Sequence, residues 1–395
     1  MKKYGLIGEK LGHSFSPLIH NKLGHYEYKL CQCQRDELKN LLADQAYGGF
    51  NVTIPYKKTV MDFCQRLSDE AKAIGAVNTM VREKDGTWTG HNTDYYGFVY
   101  LLNKNKIDPR GKKALVLGSG GASLTVQKVL KDLEASQVVV VSRKGENNYE
   151  NIAKNFDSQI IINTTPVGMY PNNGVAPINL DDFLSCDGVV DLIYNPNRTK
   201  LLFDAKRKSI PCASGLEMLV AQAKKASELF QGKEISDLLI PIITSEIKEE
   251  TQNLIYIGMP GSGKTTLGSR KAKEMGRKFV DIDSLIMERC GMSIPDIFAE
   301  QGEGVFRTIE TEVLADVCKE SGLVIATGGG VVTKRINYNI LKQNGTVIWV
   351  MRDLDRLDIK GRPLSQKGTL ENMYEERKHA YSYWSDISIR NEEEK

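Results

Sequence analysis

Apolar residues in this chain come in short runs ended by glycine or proline, and these runs alternate with longer stretches of helical spacing. Runs at residues 4–8, 49–55, 74–79, 112–117, 137–142, 254–257 and 278–283 predict strands. Helices are predicted from Tyr95, after the glycine turn at 118–121, after the glycine turn at 215, and from Thr265. Strand alternating with helix predicts an α/β fold. Residues 245–252, SEIKEETQ, interrupt the pattern. They are polar and charged with no apolar period, and predict a short linker or the frayed end of a helix.

Length and charge narrow the choices. A chain of 395 residues suits two or three domains. Its 53 basic and 50 acidic residues leave a net charge of +3, which is no electrostatic footprint for nucleic acid. Seven scattered cysteines, an odd number, argue for reduced thiols and a cytoplasmic location. Cys31-x-Cys33 is too isolated for a zinc site, and the five histidines show no metal-ligand spacing. The basic N-terminus breaks at Gly8-Glu9-Lys10 before an apolar region forms, so no signal peptide is expected. No apolar run is long enough to span a membrane. Small molecules are the expected partners; the sequence leaves the oligomeric state open.

The strongest chemical signal is GMPGSGKTT, residues 258–266, which fits G-x-x-x-x-G-K-[ST] between a predicted strand and a predicted helix. Backbone N–H groups around Gly258, Gly261, Ser262, Gly263 and Thr266 can close on ATP phosphates. Lys264 can reach the outer phosphates, and the Thr265 hydroxyl can ligand Mg²⁺. Asp281 and Asp283 alternate along the next predicted strand and so share a side. One can serve Mg²⁺ and the other an acceptor hydroxyl, or one can simply cap the helix at Ser284.

A second glycine-rich turn, Gly118-Ser119-Gly120-Gly121-Ala122-Ser123, also sits between strand and helix, as in a dinucleotide site. The strand after it ends in Ser142-Arg143-Lys144, where an NAD site usually carries an acid. A cationic pair suits the 2′-phosphate of NADP; a solvated basic turn is the other reading. Upstream, Ser14 and Ser16 precede a helix-like stretch and suit ligand binding or capping. Lys57 follows a strand end, Asn78 is embedded in an apolar run, and Asp94 could be a plain N-cap.

HSFSPLIHN (13–21), NVTIPYK (51–57), IGAVNT (74–79) and GHNTDYYGF (90–98) together resemble the substrate half of shikimate dehydrogenases. INTTPVGM (162–169), DLIYNPNRTKLL (191–202) and SGLEMLVAQA (214–223) extend the resemblance. It implies that Ser14, Ser16 and Thr53 hold the substrate carboxylate, Asn78 a ring hydroxyl, and that Lys57 and Asp94 are the catalytic pair. It also implies that Tyr194 and Gln222 face substrate and that Gly215 and Met218 lie near the nicotinamide of NADP(H). The family often has Asn at 142 and Arg at 124; this chain has Ser142 and Leu124. Two lobes are expected, a substrate lobe at 1–103 plus 226–247 and a Rossmann-type NADP lobe at 104–225, then a linker at 248–252.

Residues 253–395 resemble shikimate kinases through SIPDIFAEQGEGVFRTIE (293–310), ATGGG (326–330), GRPL (361–364) and YEERKHAY (374–381). The implied fold is a P-loop NTPase of the nucleoside-monophosphate-kinase type. Asp283, Arg307, Gly329 and Arg377 are implied to hold shikimate, and Arg362 to face the transferred phosphate. Arg307 and Glu310 also make an ordinary i,i+3 helix pair. Residues 349–362 are shorter than the family's lid region, and the chain ends in RNEEEK soon after the last expected strand. These departures raise an alternative, a P-loop domain that only binds nucleotide as a regulatory module. The expected function is a bifunctional enzyme: NADPH-dependent reduction of 3-dehydroshikimate, then MgATP-dependent phosphorylation of shikimate.

Overall fold

The computed structural model describes residues 2–12, 14–357 and 370–392. The chain separates into two compact units, Met1–Ile247 and Lys248–Lys395.

The first unit holds two sheets. One has six strands in the order Tyr28–Gln32, Lys3–Gly8, Tyr47–Val52, Thr79–Arg82, Trp88–His91, Arg66–Leu67. The first three are parallel, and the next two run antiparallel to their predecessors. The other sheet is wholly parallel, in the order Cys212–Ser214, Gly188–Asp191, Ile160–Asn163, Lys113–Leu117, Gln137–Val141. Its two central strands are fully buried at Ala114–Leu117 and Ile160–Ile162, which explains why they read as unbroken apolar runs.

Two helices of this unit, Thr93–Lys104 and Leu216–Gln231, pack closely. Gly97 permits this approach: a Cβ there would lie 2.8 Å from the Met218 carbonyl oxygen and 3.0 Å from Gln222 Cβ. In the helix Leu239–Thr251, Ile240, Ile243 and Ile247 pack on Phe15, Ile19 and Leu23.

The second unit carries one parallel five-stranded sheet, ordered Phe279–Asp281, Val324–Ala326, Asn253–Ile257, Gly345–Met351, Ile387–Arg390. Its core joins Ile255, Ile257 and Val347 from the strands to Ile286, Ile297, Leu314 and Tyr381 from the helices. The long helix Ile294–Val317 bends at Gly302, whose φ of 81° leaves the helical region.

Three sequence expectations are corrected. Residues 74–78 are not a strand, and the strand begins only at Thr79. Ser68 accepts a hydrogen bond from Ala71 N, the helix Asp69–Ile74 follows, and Gly75 ends it at φ 70°. Here the cap signals outweigh the apolar run. The predicted strand at 278–283 stops at Asp281, whose side chain accepts from Ser284 N and starts the helix Ile282–Cys290, so Asp283 is helical. The polar segment 245–252 lies mostly in the helix Leu239–Thr251, because apolar anchors at 240, 243 and 247 carry helical spacing into it.

Candidate active sites

In the first unit, Lys57 lies just beyond the strand Tyr47–Val52, and Asp94 lies in the first turn of the helix Thr93–Lys104. Lys57 Nζ donates to Asp94 Oδ2 at 2.6 Å, with the two side chains only 16% and 11% exposed. Residues 77 and 78 hold the pair together. Val77 N donates to the Lys57 carbonyl at 2.8 Å, while Asn78 Oδ1 accepts from Thr93 N at 2.7 Å. Asn78 thus caps the helix that carries Asp94, which leaves the Asp94 carboxylate for Lys57.

Asn78 Nδ2 also donates to Thr93 Oγ1 at 3.1 Å and to Gln222 Oε1 at 3.4 Å. Behind them runs a buried polar chain that sequence reasoning missed. Tyr28 Oη donates to Asn51 Oδ1 at 2.8 Å, Asn51 Nδ2 to Thr79 Oγ1 at 3.0 Å, and Thr79 Oγ1 meets Thr93 Oγ1 at 3.0 Å. Its one sequence signal was polar residues placed inside strands. Ser14 Oγ lies 3.2 Å from both Ser16 Oγ and Ser16 N, at the start of the helix Ser16–Leu23. Thr53 N donates to the Ile7 carbonyl at 2.9 Å, extending the sheet beside them. Tyr194 stacks obliquely on Phe15 at 5.3 Å, and burial pushes its phenol up.

The glycine turn meets this cluster. A Cβ on Gly121 would lie 3.4 Å from Lys57 Cδ, and Gly120 has open space beside it. Among the described residues no side chain caps the helix Gly121–Asp132, so its N-terminal amides, next to Ser119 and Ala122, remain available to an anion. Gly118, at φ 107°, turns the chain against Thr164. Ser142 N closes a loop onto the Asn147 carbonyl, with Arg143 exposed on it. Gly215 abuts the Leu192 backbone, where a Cβ would come within 2.0 Å of the carbonyl oxygen. Met218 is buried with Phe98, Val116, Ile162 and Val190 in the core below the strand ends.

Asp191, at the end of a central strand of the parallel sheet, accepts from Thr199 Oγ1 at 2.6 Å, Asn163 Nδ2 at 3.0 Å and Ile193 N at 3.1 Å. Burial nevertheless pushes its carboxyl up to about 6, against those three donors. The folded state therefore binds this proton more tightly than the unfolded state. The resulting stability is full below the unfolded value and is lost as pH rises through about 6. Urea unfolding should show wild type losing up to about 3 kcal/mol relative to Asp191→Asn between pH 4 and 6, with no further divergence above.

In the second unit, the loop after Asn253–Ile257 turns at Gly258, Gly261 and Gly263, with φ of 142°, 78° and 98°. Lys264 curls back over it and donates to the Gly258 and Met259 carbonyls, both at 2.9 Å. Thr265 Oγ1 donates to Asp281 Oδ2 at 2.8 Å, placing two oxygens side by side on the exposed rim near Thr266. Asp281 and Asp283 take different roles, since Asp281 Oδ1 caps the next helix.

A buried charge cluster lies nearby. Arg307 Nη1 donates to Glu310 Oε2 at 2.7 Å, and a Cβ on Gly330 would fall 2.0 Å from Arg307 Nη2. Arg377 Nη1 and Tyr381 Oη both donate to the Gly329 carbonyl. A Cβ on Gly328 would lie 2.8 Å from Asp283 Oδ1 and 2.7 Å from Glu310 Oε1. Burial pushes the Glu310 carboxyl up, with Arg307 opposing. The structure thus brings Asp283, Arg307, Arg377 and residues 328–330 together, beside Pro260 of the phosphate loop. Arg362 lies outside the described residues.

Comparison with known proteins finds a match in each unit. A family model for the shikimate dehydrogenase substrate binding domain matches residues 6–80, and one for shikimate kinase matches residues 260–395. A shikimate dehydrogenase (NADP(+)) of Clostridium beijerinckii is 41% identical over 270 residues, covering 63% of this chain and 99% of the relative. The crystal structure of a chorismate mutase/shikimate 5-dehydrogenase fusion protein from Clostridium acetobutylicum is 37% identical with a TM-score of 0.60, over 63% of this chain and 97% of that one. The shikimate 5-dehydrogenase of Thermus thermophilus, in complex with NADP(H) and shikimate, is 28% identical with a TM-score of 0.57, over 62% of this chain and 99% of that one. With its Lys57–Asp94 pair facing the glycine turn of the parallel-sheet lobe, the chain belongs to the shikimate dehydrogenase family, and its residues 260–395 are similar to shikimate kinases.

Proposed function

We propose that this protein reduces 3-dehydroshikimate to shikimate with NADPH and then phosphorylates the 3-hydroxyl of shikimate with MgATP. The observation that carries the reading is the Lys57–Asp94 contact at 2.6 Å, set against the Gly121 turn. The cradle beside Gly120 and the uncapped helix N-terminus fit a pyrophosphate, and Arg143 fits a 2′-phosphate. NADPH, when bound, supplies the hydride. Lys57 gives a proton to the oxygen of the ketone as it is reduced, and Asp94 keeps the Lys57 side chain aimed. Asn78 and Gln222 orient the ring hydroxyls; Ser14, Ser16 and Thr53 take the carboxylate.

In the second unit, Thr265 and Asp281 offer an all-oxygen set that fits Mg²⁺, which would offset phosphate charge. Lys264 reaches the outer phosphates from its place over the loop, Asp283 orients the acceptor hydroxyl, and Arg307 and Arg377 take the substrate carboxylate. The two reactions share a product and a substrate, because the hydroxyl made first is the one phosphorylated next.

Cofactor choice is testable at one side chain. Arg143→Ala should raise KM for NADP about tenfold, the loss of one charge-assisted contact, with KM for NAD nearly unchanged. The kinase reading is tested by incubating the protein with shikimate and MgATP, without NADP, and looking for shikimate 3-phosphate by mass spectrometry. Product should form, and should be absent with Lys264→Ala. ATP binding without product would replace the kinase by a nucleotide-binding regulatory module.

A further inference from the structure

We propose that Asn391 is a positioning residue for the phosphate loop, clamping the Ser262–Gly263 peptide from behind so that its N–H faces the nucleotide. The inference rests on the reading that residues 258–266 bind nucleotide phosphates. Asn391 directly follows the strand Ile387–Arg390, far along the chain from the loop. Its backbone is fixed by the sheet, since Asn391 N donates to the Met351 carbonyl at 2.8 Å. The preceding Arg390 pairs with Asp353 at 3.1 Å. The residue is only 7% exposed, and its Nδ2 donates to the Ser262 carbonyl at 2.9 Å.

The fit to Gly263 is close. Gly263 has φ 98°, and a Cβ on it would sit 2.2 Å from Asn391 Nδ2. The loop therefore accepts no side chain at 263 while Asn391 occupies that space. A trans peptide is planar, so holding the Ser262 carbonyl toward Asn391 turns the Gly263 N–H the opposite way. Glycine on one side of that peptide makes rotation easy, so the loop needs an outside hold to keep one orientation. Ser262 Oγ does not provide it; it is buried with no hydrogen-bond partner among the described residues. Lys264 braces the first turn through the Gly258 and Met259 carbonyls, and Asn391 braces the last turn before the helix Lys264–Met275. A pre-set row of N–H groups binds phosphate without the cost of ordering the loop.

The test uses the full-length protein and two variants. Asn391→Asp keeps size and shape but turns an acceptor on the Ser262 carbonyl. Asn391→Ala removes the clamp and adds no charge. Both should raise Kd for ATP, measured by calorimetry, about tenfold, the loss of one buried hydrogen bond that leaves its acceptor unpaired. KM for ATP should rise in parallel, while KM for shikimate and the rate of the dehydrogenase stay within about twofold. ATP binding by Asn391→Ala equal to wild type would overturn the proposal. So would an equal rise in both KM values, which marks a unit loosened as a whole. If wild type binds ATP but makes no phosphorylated product, the kinase reading fails, and the Kd ratios still decide the role of Asn391.

Discussion

Lys57→Ala should lower kcat for the dehydrogenase about a thousandfold while phosphoryl transfer by residues 248–395 continues. General acid catalysis by a placed side chain is worth about 10²–10⁴ in rate, and Lys57 is the cation in hydrogen-bond contact with Asp94. The proton is needed only as the ketone oxygen gains charge, so kcat and kcat/KM should fall together. The variant also leaves Asp94, only 11% exposed, without its cation. Repulsion between that carboxylate and the developing negative charge adds to the loss. Steady-state rates with NADP and shikimate, beside a kinase assay on the same preparation, check this. A fall of less than tenfold would move the acid role away from Lys57.

Lys264→Ala should lower phosphoryl transfer by about 10³, within the range seen when one preorganised charge is removed from a transition state. A second loss comes from the loop itself. Without Lys264 Nζ, the Gly258 and Met259 carbonyls lose the donor that holds them at 2.9 Å, and the turn loosens by about 1–3 kcal/mol. ATP binding should therefore weaken as well as turnover. Arginine should not rescue, because a planar fork cannot occupy the narrow position of an ammonium between two carbonyls. The dehydrogenase rate of the same variant should match wild type. Single-turnover product formation, read by mass spectrometry, decides the outcome.

Parallel strands such as Lys113–Leu117 and Gln137–Val141 were legible in the sequence because burial leaves unbroken apolar runs, as at Ala114–Leu117. Both glycine turns were legible because tight phosphate-binding loops demand glycine at fixed offsets. What failed was local competition. At Ile74–Gly75 a helix C-cap looked like the start of a strand, and at Asp281 a capping carboxylate cut a strand short. Motif reading named Lys57, Asp94, Asn78 and Gln222. It missed Tyr28, Asn51, Thr79 and Thr93, whose roles exist only once distant strands meet. Asn391 was invisible for the same reason: its partner is 129 residues away.

Gly97 carries a consequence for how such a site drifts over generations. The missing side chain lets the helix bearing Asp94 lie directly on the helix bearing Gln222. The two helices are therefore packed as one piece, and in the proposed function the acid's partner and the hydroxyl contact share a single mechanical setting. A lineage cannot retune the reach of Gln222 toward a new ring without also shifting Asp94 against Lys57. In the proposed function, change of substrate has to enter elsewhere, through groups such as Ser14, Ser16 and Tyr194 that sit outside this contact. A glycine that touches no ligand thus fixes which parts of the pocket are free to vary.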